Sequence, residues 1–402
     1  MQSTDFKIAK EKLNQAVKLM KEKKIDTWLI LTREGTDLNV PLLLGVRSVH
    51  QAAIFINQNG KHVAITSESD RGNYQQSELY ENVIAYQGSL KETFLDYFGK
   101  LSPQKMALNI SENDYLCDGL TMGQYLWLEE CIGKEKIQEI ELPSEELLMQ
   151  LRSEKSATEI EILKKAISLT DEIYKEVIDQ IQCGMTEIEI GDLFVNSMKS
   201  RSVTNGLGGA FDPPMVCIVR KGLAHRKPAN YKTIPGDVVI IDFSLDYHNY
   251  KSDIARTLYF LKPGESQAPQ SIRQAFNTVI EAINETISFI EIGKKGWEVD
   301  EVARSIIEKD NYPTIRHAVG HQIGRETHDG GTIIGPQRKP KRLSVEGYIK
   351  QGEVYAIEPT VIQDNGLPCV LVEENILIKE TGAEVLSNRQ MELINIKYEE
   401  RG

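Results

Sequence analysis

The stretch VVIIDFSLDYHNYKSDIARTLYF, residues 238–260, sets two acids, Asp242 and Asp253, inside apolar runs on either side of a polar centre. VYAIEPTVIQDNGLPCVLVEEN, residues 354–375, does the same with Glu358 and Glu373. If the first stretch folds back about Tyr247–His248, Asp242 and Asp253 stand equally far from the turn and face each other. Asn365–Gly366 is a two-residue hairpin signal, and about it Glu358 and Glu373 face each other in the same way. Directly paired residues point to one face of a sheet, with Cβ atoms roughly 4.5–5.5 Å apart. Each hairpin then presents two carboxylates side by side. Like charges that close repel, and a carboxylate without water or a partner is costly. The pattern calls for positive charge between the acids, and a metal pair is the natural candidate.

The 402 residues are enough for two domains with substantial cores. A hydrophobic content of 41% and a charged content of 26% are those of a soluble globular protein. The net charge of −12 argues against nucleic-acid or anionic-membrane binding, which needs a basic footprint. The opening MQSTDFKIAKEKLNQAVKLMKEKK is a charged amphipathic helix pattern without the apolar region of a signal peptide. No run approaches the roughly 18 apolar residues of a membrane span. Cys117, Cys131, Cys183, Cys217 and Cys369 are scattered and lack CxxC spacing, which reads as reduced packing residues of a cytoplasmic protein.

Residues 1 to about 150 alternate helix-like and strand-like segments, with Asn59–Gly60 marking a hairpin between AAIFIN and HVAIT. This half reads as a small α/β domain with a mixed sheet, and its isolated His50 and His62 read as surface or packing residues. The pattern changes near Leu151–Ser156. Apolar residues at helical spacing then run from Ile162 to Ile181, with Thr158 and Glu161 as a candidate capping box. Thr186 with Glu189 opens a second helix, and further helices are expected over 270–290 and 299–309. The expected division is 1–152 and 153–402, the second part an α+β domain whose helices cover an antiparallel sheet and whose paired acid hairpins suggest a duplicated half.

Three of the seven histidines, His317, His321 and His328, fall in RHAVGHQIGRETHDGG. Gly320 and Gly324 weaken the reading of His317 and His321 as a pair on a helix surface, since a helix interior tolerates glycine poorly. His225 lies shortly before the turn that leads into the first acid strand. Asp242, Asp253, Glu358 and Glu373 supply four negative charges, which two divalent cations would balance. Four carboxylates and an imidazole form an oxygen-rich, fairly hard site that suits Mn²⁺ or Fe²⁺ and admits Co²⁺ or Zn²⁺. Two metals roughly 3.5–4 Å apart can share a hydroxide and lower the pKa of its parent water from about 15.7 to about 7. Outer histidines could polarise a carbonyl or protonate a leaving nitrogen. The chemistry expected is metal-assisted hydrolysis.

At these residues the chain resembles the pita-bread metallopeptidases, which include Xaa-Pro aminopeptidases, prolidases, methionine aminopeptidases and creatinase. LRSEKSATEIEILKKA (151–166) resembles the segment opening the catalytic domain, and residues 1–152 resemble the creatinase/prolidase N-terminal domain. The first acid stretch is similar to the family's Asp-x(10)-Asp hairpin and ends SDIART where many members have SDxTRT. RHAVGHQIGRETHD resembles the histidine region, AIEP the glutamate motif and LVEEN the last metal-binding strand. The resemblance implies five metal ligands, Asp242, Asp253, His321, Glu358 and Glu373, with Asp253 and Glu373 bridging two divalent ions, manganese foremost. It implies that Glu358 also accepts a proton from the attacking water, and that His225 and His328 face the substrate. His317 is a further substrate-side candidate, and Glu373 rather than Glu374 is taken as the ligand because it is the one paired across the hairpin. The expected activity is removal of an N-terminal residue before proline, as in aminopeptidase P or prolidase, by a homodimer acting on peptides.

Three departures stand out. Leu371 occupies the place, two residues before the last ligand, where proline-specific members carry arginine. The connection GGTIIGPQRKPKRLSVEGYIKQGE (330–353) is longer and more basic than usual, and HDGG replaces HE-x-P after the last histidine. Two alternatives remain: a pita-bread binding protein without catalysis, and a creatinase-like amidinohydrolase, a branch that works without metals and has lost several of the ligand positions filled here.

Overall fold

The structure, a computed structural model, describes residues 2–46, 48–222, 226–339, 342–364 and 368–398. It divides into two compact units, residues 1–152 and 153–402. The first is built on a sheet of β1 (Thr27–Thr32), β2 (Ala52–Asn57), β3 (Val63–Ser67), β4 (Asn82–Tyr86), β5 (Met106–Leu108) and β6 (Glu141–Pro143), in the order β4-β3-β2-β1-β5-β6. It is mixed as expected: β1 and β2 pair antiparallel, as do β2 and β3, while β3–β4, β1–β5 and β5–β6 are parallel. Every residue of β1, β2 and β3 is buried. Such strands read as continuous apolar runs because both faces are covered. Trp28, Ile30 and Ile54 pack on one side, Leu29, Phe55 and Phe94 on the other. His62 is a packing residue whose Nδ1 accepts from the Asn57 N–H at 3.2 Å, and burial lowers its pKa to about 4.

The second unit carries four long helices, Ala157–Ile178, Glu187–Arg201, Gln270–Phe289 and Gly296–Lys309. The first opens at Ser156, whose side chain and that of Glu159 form the capping box; Thr158 already lies inside the helix, so the expected pair of Thr158 and Glu161 is displaced by two residues. Thr186 and Glu189 cap the second as expected.

The strands of this unit are β7 (Thr204–Asn205), β8 (Met215–Ile218), β9 (Val238–Phe243), β10 (Leu245–Tyr247), β11 (Tyr250–Lys251) and β12 (Ile254–Phe260), then β13 (Gly320–Gln322), β14 (Val354–Ile357), β15 (Thr360–Val361), β16 (Val370–Leu371), β17 (Glu374–Lys379), β18 (Gly382–Val385) and β19 (Ile394–Ile396). They form two four-stranded sheets, β19-β12-β9-β8 and β13-β14-β17-β18, with β11-β10-β7 and β15-β16 as smaller ladders. All the pairs are antiparallel except β12–β19. Each large sheet holds one acid hairpin at its centre. This is the α+β architecture expected from the sequence.

The second hairpin keeps the expected register. Ile357 pairs with Glu374 and Thr360 with Leu371, so Glu358 and Glu373 stand opposite each other at the break between the two ladders. Its turn at Asn365–Gly366 lies outside the described residues. The first hairpin corrects the expectation. Asp246 pairs with Lys251 and Tyr247 with Tyr250, so the turn is His248–Asn249, one residue later than Tyr247–His248. Both turn residues have positive φ, 54° and 61°. That is the primed turn favoured in tight hairpins, for which asparagine is suited. The Asn249 N–H also donates to Asp246 Oδ1 at 2.9 Å. Asp242 therefore pairs with Ala255 rather than with Asp253. A slip of two positions leaves both acids on the same face, since side chains alternate with a period of two. They are diagonal neighbours.

Helix Gln270–Phe289 lays Phe276, Val279 and Ile283 against Tyr355, Ile357, Val372 and Ile376 of the second hairpin. Helix Ala157–Ile178 supports the first: the Tyr174 hydroxyl lies 3.0 Å from the Ile241 carbonyl and 2.6 Å from the Ile254 carbonyl, beside both acids. Tyr174→Phe leaves two buried carbonyls short of a donor, so urea denaturation should show a loss of about 1–3 kcal/mol. An unchanged midpoint would remove the hydroxyl from the support of the hairpin. No helix among the described residues is long and apolar enough to cross a membrane.

Candidate metal centre

Ligand atoms of Asp253, His321 and Glu373 lie within 4.8 Å of one another, and all three residues are buried. His321 Nε2 is 3.5 Å from Asp253 Oδ2, 3.7 Å from Glu358 Oε1 and 3.9 Å from Glu373 Oε1. Its Nδ1 faces its neighbour's carbonyl, Gln322 O, at 3.3 Å. With the proton on Nδ1, the lone pair of Nε2 points at the three acids, the tautomer a metal ligand needs. Burial, with the His328 ring as a second cause, pushes the His321 pKa down to about 3, so this imidazole is neutral.

The acids move the other way. Burial and the charge of Asp242 raise Glu358 to about 8. Burial and the neighbouring carboxylates hold Asp253 and Glu373 well above the usual carboxylate range, although the Arg256 guanidinium lowers Glu373. Asp242 acts on all three. The four carboxylates thus share one field, in which they cannot all ionise without a cation. Asp253 Oδ1 is buried and has no hydrogen-bond partner among the described residues. A buried acceptor left over in a nest of acids fits a divalent cation, and so does this donor set of carboxylates with one neutral imidazole.

Two more histidines flank the acids. The His328 ring is exposed, with its centroid 4.4 Å from that of His321. His317 Nδ1 donates to the Ala318 carbonyl at 2.6 Å and lies 3.9 Å from Glu358 Oε2. Its Nε2 is 3.0 Å from Thr360 Oγ1. Of the expected site residues, Asp242, Asp253, His317, His321, His328, Glu358 and Glu373 come together; His225 lies outside the described residues. Glu374 faces away from this cluster, as alternation along a strand requires. It is buried, accepting from the Gln390 N–H at 2.9 Å and from Arg256 Nη2 at 3.3 Å.

Side chains that the sequence reading passed over hold the parts in place. The Asn375 amide spans the two hairpins, Oδ1 accepting from the Asp253 N–H at 3.2 Å and Nδ2 donating to the Asp253 carbonyl. Arg256 Nη1 donates to the Glu373 carbonyl at 2.8 Å. Asp300 and Arg304, buried on one helix, clamp the segment that carries His317. Arg304 Nη2 donates to the His317 carbonyl at 3.1 Å, and Asp300 Oδ1 accepts from the Val319 N–H at 3.2 Å. Leu371 is buried against Ile240, Ala255 and Cys369, so the position at which proline-specific members carry arginine is apolar core here. The basic connection turns back on the histidine segment, where Arg338 Nη2 donates to the Arg316 carbonyl at 3.1 Å.

Residues 161–380 match metallopeptidase family M24. The Xaa-Pro dipeptidase of Pyrococcus horikoshii is 26% identical over 390 residues, spanning 96% of this chain and 99% of its own. The Xaa-Pro dipeptidase of Pyrococcus furiosus is 30% identical over 251 residues, 62% of this chain and 67% of its own. Among solved structures, the Xaa-Pro dipeptidase from Bacillus anthracis superposes with a TM-score of 0.75 at 22% identity, covering 96% of this chain and all of that one (100%). The X-Pro aminopeptidase from Thermotoga maritima gives 0.74 at 24% identity, with 93% and 99% covered. These likenesses show the fold, the pita-bread architecture.

Proposed function

The chain belongs to metallopeptidase family M24, and from that premise we propose that it hydrolyses peptides whose second residue is proline, releasing the N-terminal residue. The observation that carries this reading is the buried cluster of Asp253, His321 and Glu373, with Glu358 at its edge and Asp253 Oδ1 unpartnered among the described residues. Asp242, Asp253, His321, Glu358 and Glu373 would hold two divalent ions, manganese foremost, and four carboxylates balance the charge of two such ions. Ions bound there supply Lewis acidity toward a carbonyl and toward water.

The rest is the work of the protein's own groups. Glu358 accepts the proton of the attacking water, a role open to a carboxylate at the edge of the cluster, its Oε1 3.7 Å from His321 Nε2. His328, exposed beside His321, donates a hydrogen bond to the oxygen of the scissile carbonyl as charge develops there. His317 is fixed by Ala318 and Thr360 next to Glu358, where it can contact the peptide. His225 is assigned the second substrate-facing position on resemblance alone. The enzyme is proposed to work as a cytoplasmic homodimer.

The test is hydrolysis of an Xaa-Pro-Xaa tripeptide and an Xaa-Pro dipeptide by metal-stripped protein, with and without Mn²⁺. The expected result is turnover that appears only with the ion. Ion binding without turnover of either peptide would sink the proline assignment and turn attention to Leu371. Failure to bind any divalent ion would favour the non-catalytic binding protein.

A further inference from the structure

The residue after His328 is Asp329, one of the departures in HDGG, and it meets a cation from the start of the catalytic unit. Lys155 Nζ is 2.9 Å from Asp329 Oδ2, and both side chains are out of water, 0% and 4% exposed. The other oxygen, Asp329 Oδ1, accepts from the Glu326 N–H at 3.2 Å, closing the turn around His328. The Asp329 N–H donates to the Gln322 carbonyl at 2.9 Å, tying that turn to the strand of His321. Lys155 is itself held, its N–H donating to the Gly352 carbonyl at 3.1 Å. Two glycines show how closely the assembly packs. A Cβ at Gly324 would stand 2.0 Å from Asp329 Oδ2, and one at Gly331 would stand 2.2 Å from Ser153 Oγ.

We infer that Lys155 and Asp329 are positioning residues that fix the exposed His328 imidazole over the acid cluster. The inference rests on the proposed role of His328. His328 directly precedes Asp329, so the contacts that fix this turn also fix the backbone from which the ring projects. A buried ion pair suits that task, because the energy of two desolvated charges rises steeply as they separate. Replacing both charges by neutral groups is often tolerated by the fold, whereas removing one leaves a buried charge uncompensated. Stability and positioning can therefore be separated.

The experiment compares Lys155→Met, Asp329→Asn and the double variant, each loaded with Mn²⁺ for melting and kinetics and with diamagnetic Zn²⁺ for NMR, because Mn²⁺ would broaden the signals of a ring this close to the site. Three quantities are read: the melting midpoint, kcat and KM on an Xaa-Pro dipeptide, and the ring resonances of His328 by NMR, assigned with His328→Gln. The single variants should melt several degrees lower, and the double variant should regain most of that loss. Its kcat should stay about ten- to hundredfold low, since a misplacement of about 1 Å can cost that much. KM should be unchanged and the His328 resonances shifted. A double variant that regains parental kcat along with its melting midpoint would overturn the inference, leaving the pair a purely structural one. If the double variant does not fold, Asp329→Asn decides, since its Oδ1 can still accept from Glu326. Shifted His328 resonances with lowered kcat support positioning, and parental values of both overturn it. If the parent cleaves no peptide, the proposed function fails, and the resonances alone still answer whether the pair places His328.

Discussion

Glu358→Gln is expected to lower kcat by about 10²- to 10⁴-fold, the range contributed by a positioned proton acceptor, with the fold and much of the ion binding kept. Glutamine has the shape of glutamate and can still offer a carbonyl oxygen, but it cannot take a proton from water. The site gives this substitution a second signature. In the ion-free protein Glu358 is an acid pushed up to about 8 by burial and by Asp242. Its folded pKa therefore exceeds its unfolded value. Its contribution to stability is present in full below the unfolded pKa and is lost as pH rises through about 8. At pH 9 the ion-free variant should consequently melt no lower than the ion-free parent, because the buried charge that Glu358 takes on above about 8 is gone. Loss of kcat together with undiminished ion-free stability would identify a functional carboxylate. Near-parental kcat would remove Glu358 from the chemistry.

The second large effect is that of the ions on stability. An ion that binds only the folded chain stabilises it by about 4 kcal/mol at a thousandfold excess over its dissociation constant. Three acids of the cluster have folded pKa values above their ordinary ones. At pH 6 the ion-free site holds the proton on Glu358 and an ion must displace it; near pH 9 Glu358 is ionised and its charge adds to the field of its neighbours. Affinity therefore rises with pH, while the stability of the ion-free protein falls over the same window. The gap in melting midpoint between Mn²⁺-loaded and chelator-treated protein should widen from pH 6 to pH 9. Calorimetry at the two pH values checks this, with proton release on titration at pH 6 as the companion signal. A gap that is constant or narrows would mean that the ions do not sit among these acids.

The acids were legible in the sequence because a strand alternates with a period of two, and each stands within an apolar run that has no structural use for a charge. The second hairpin's register followed from Asn365–Gly366, and Glu358 and Glu373 do face each other. The first was centred one residue early, since Tyr247–His248 carries no such signal and the chain turns where His248 and Asn249 both accept positive φ. Asp242 and Asp253 survived that error because the slip was an even one. The supports were not legible. Asn375 reaches Asp253 across 122 residues of sequence, and no local pattern encodes such a meeting. Asp300 and Arg304 could be seen as a pair four apart on a helix, but that spacing ordinarily marks a surface ion pair. Only the packing shows that it is buried and spent on backbone groups near His317.

The bonding of Asn375 to Asp253 also bears on how the chain acquires its shape. The acids sit on strands distant in sequence, and no fragment holding one hairpin can gather them. Contacts of that span raise the contact order, whose loop-closure entropy must be met before any reward is collected. Until the two halves dock, the cluster offers an ion little more than scattered carboxylates would. Divalent ions then have no early structure to template, and they select a chain that has already folded. Their influence falls on the reverse step, where they hold the docked halves together and slow the escape from the native state.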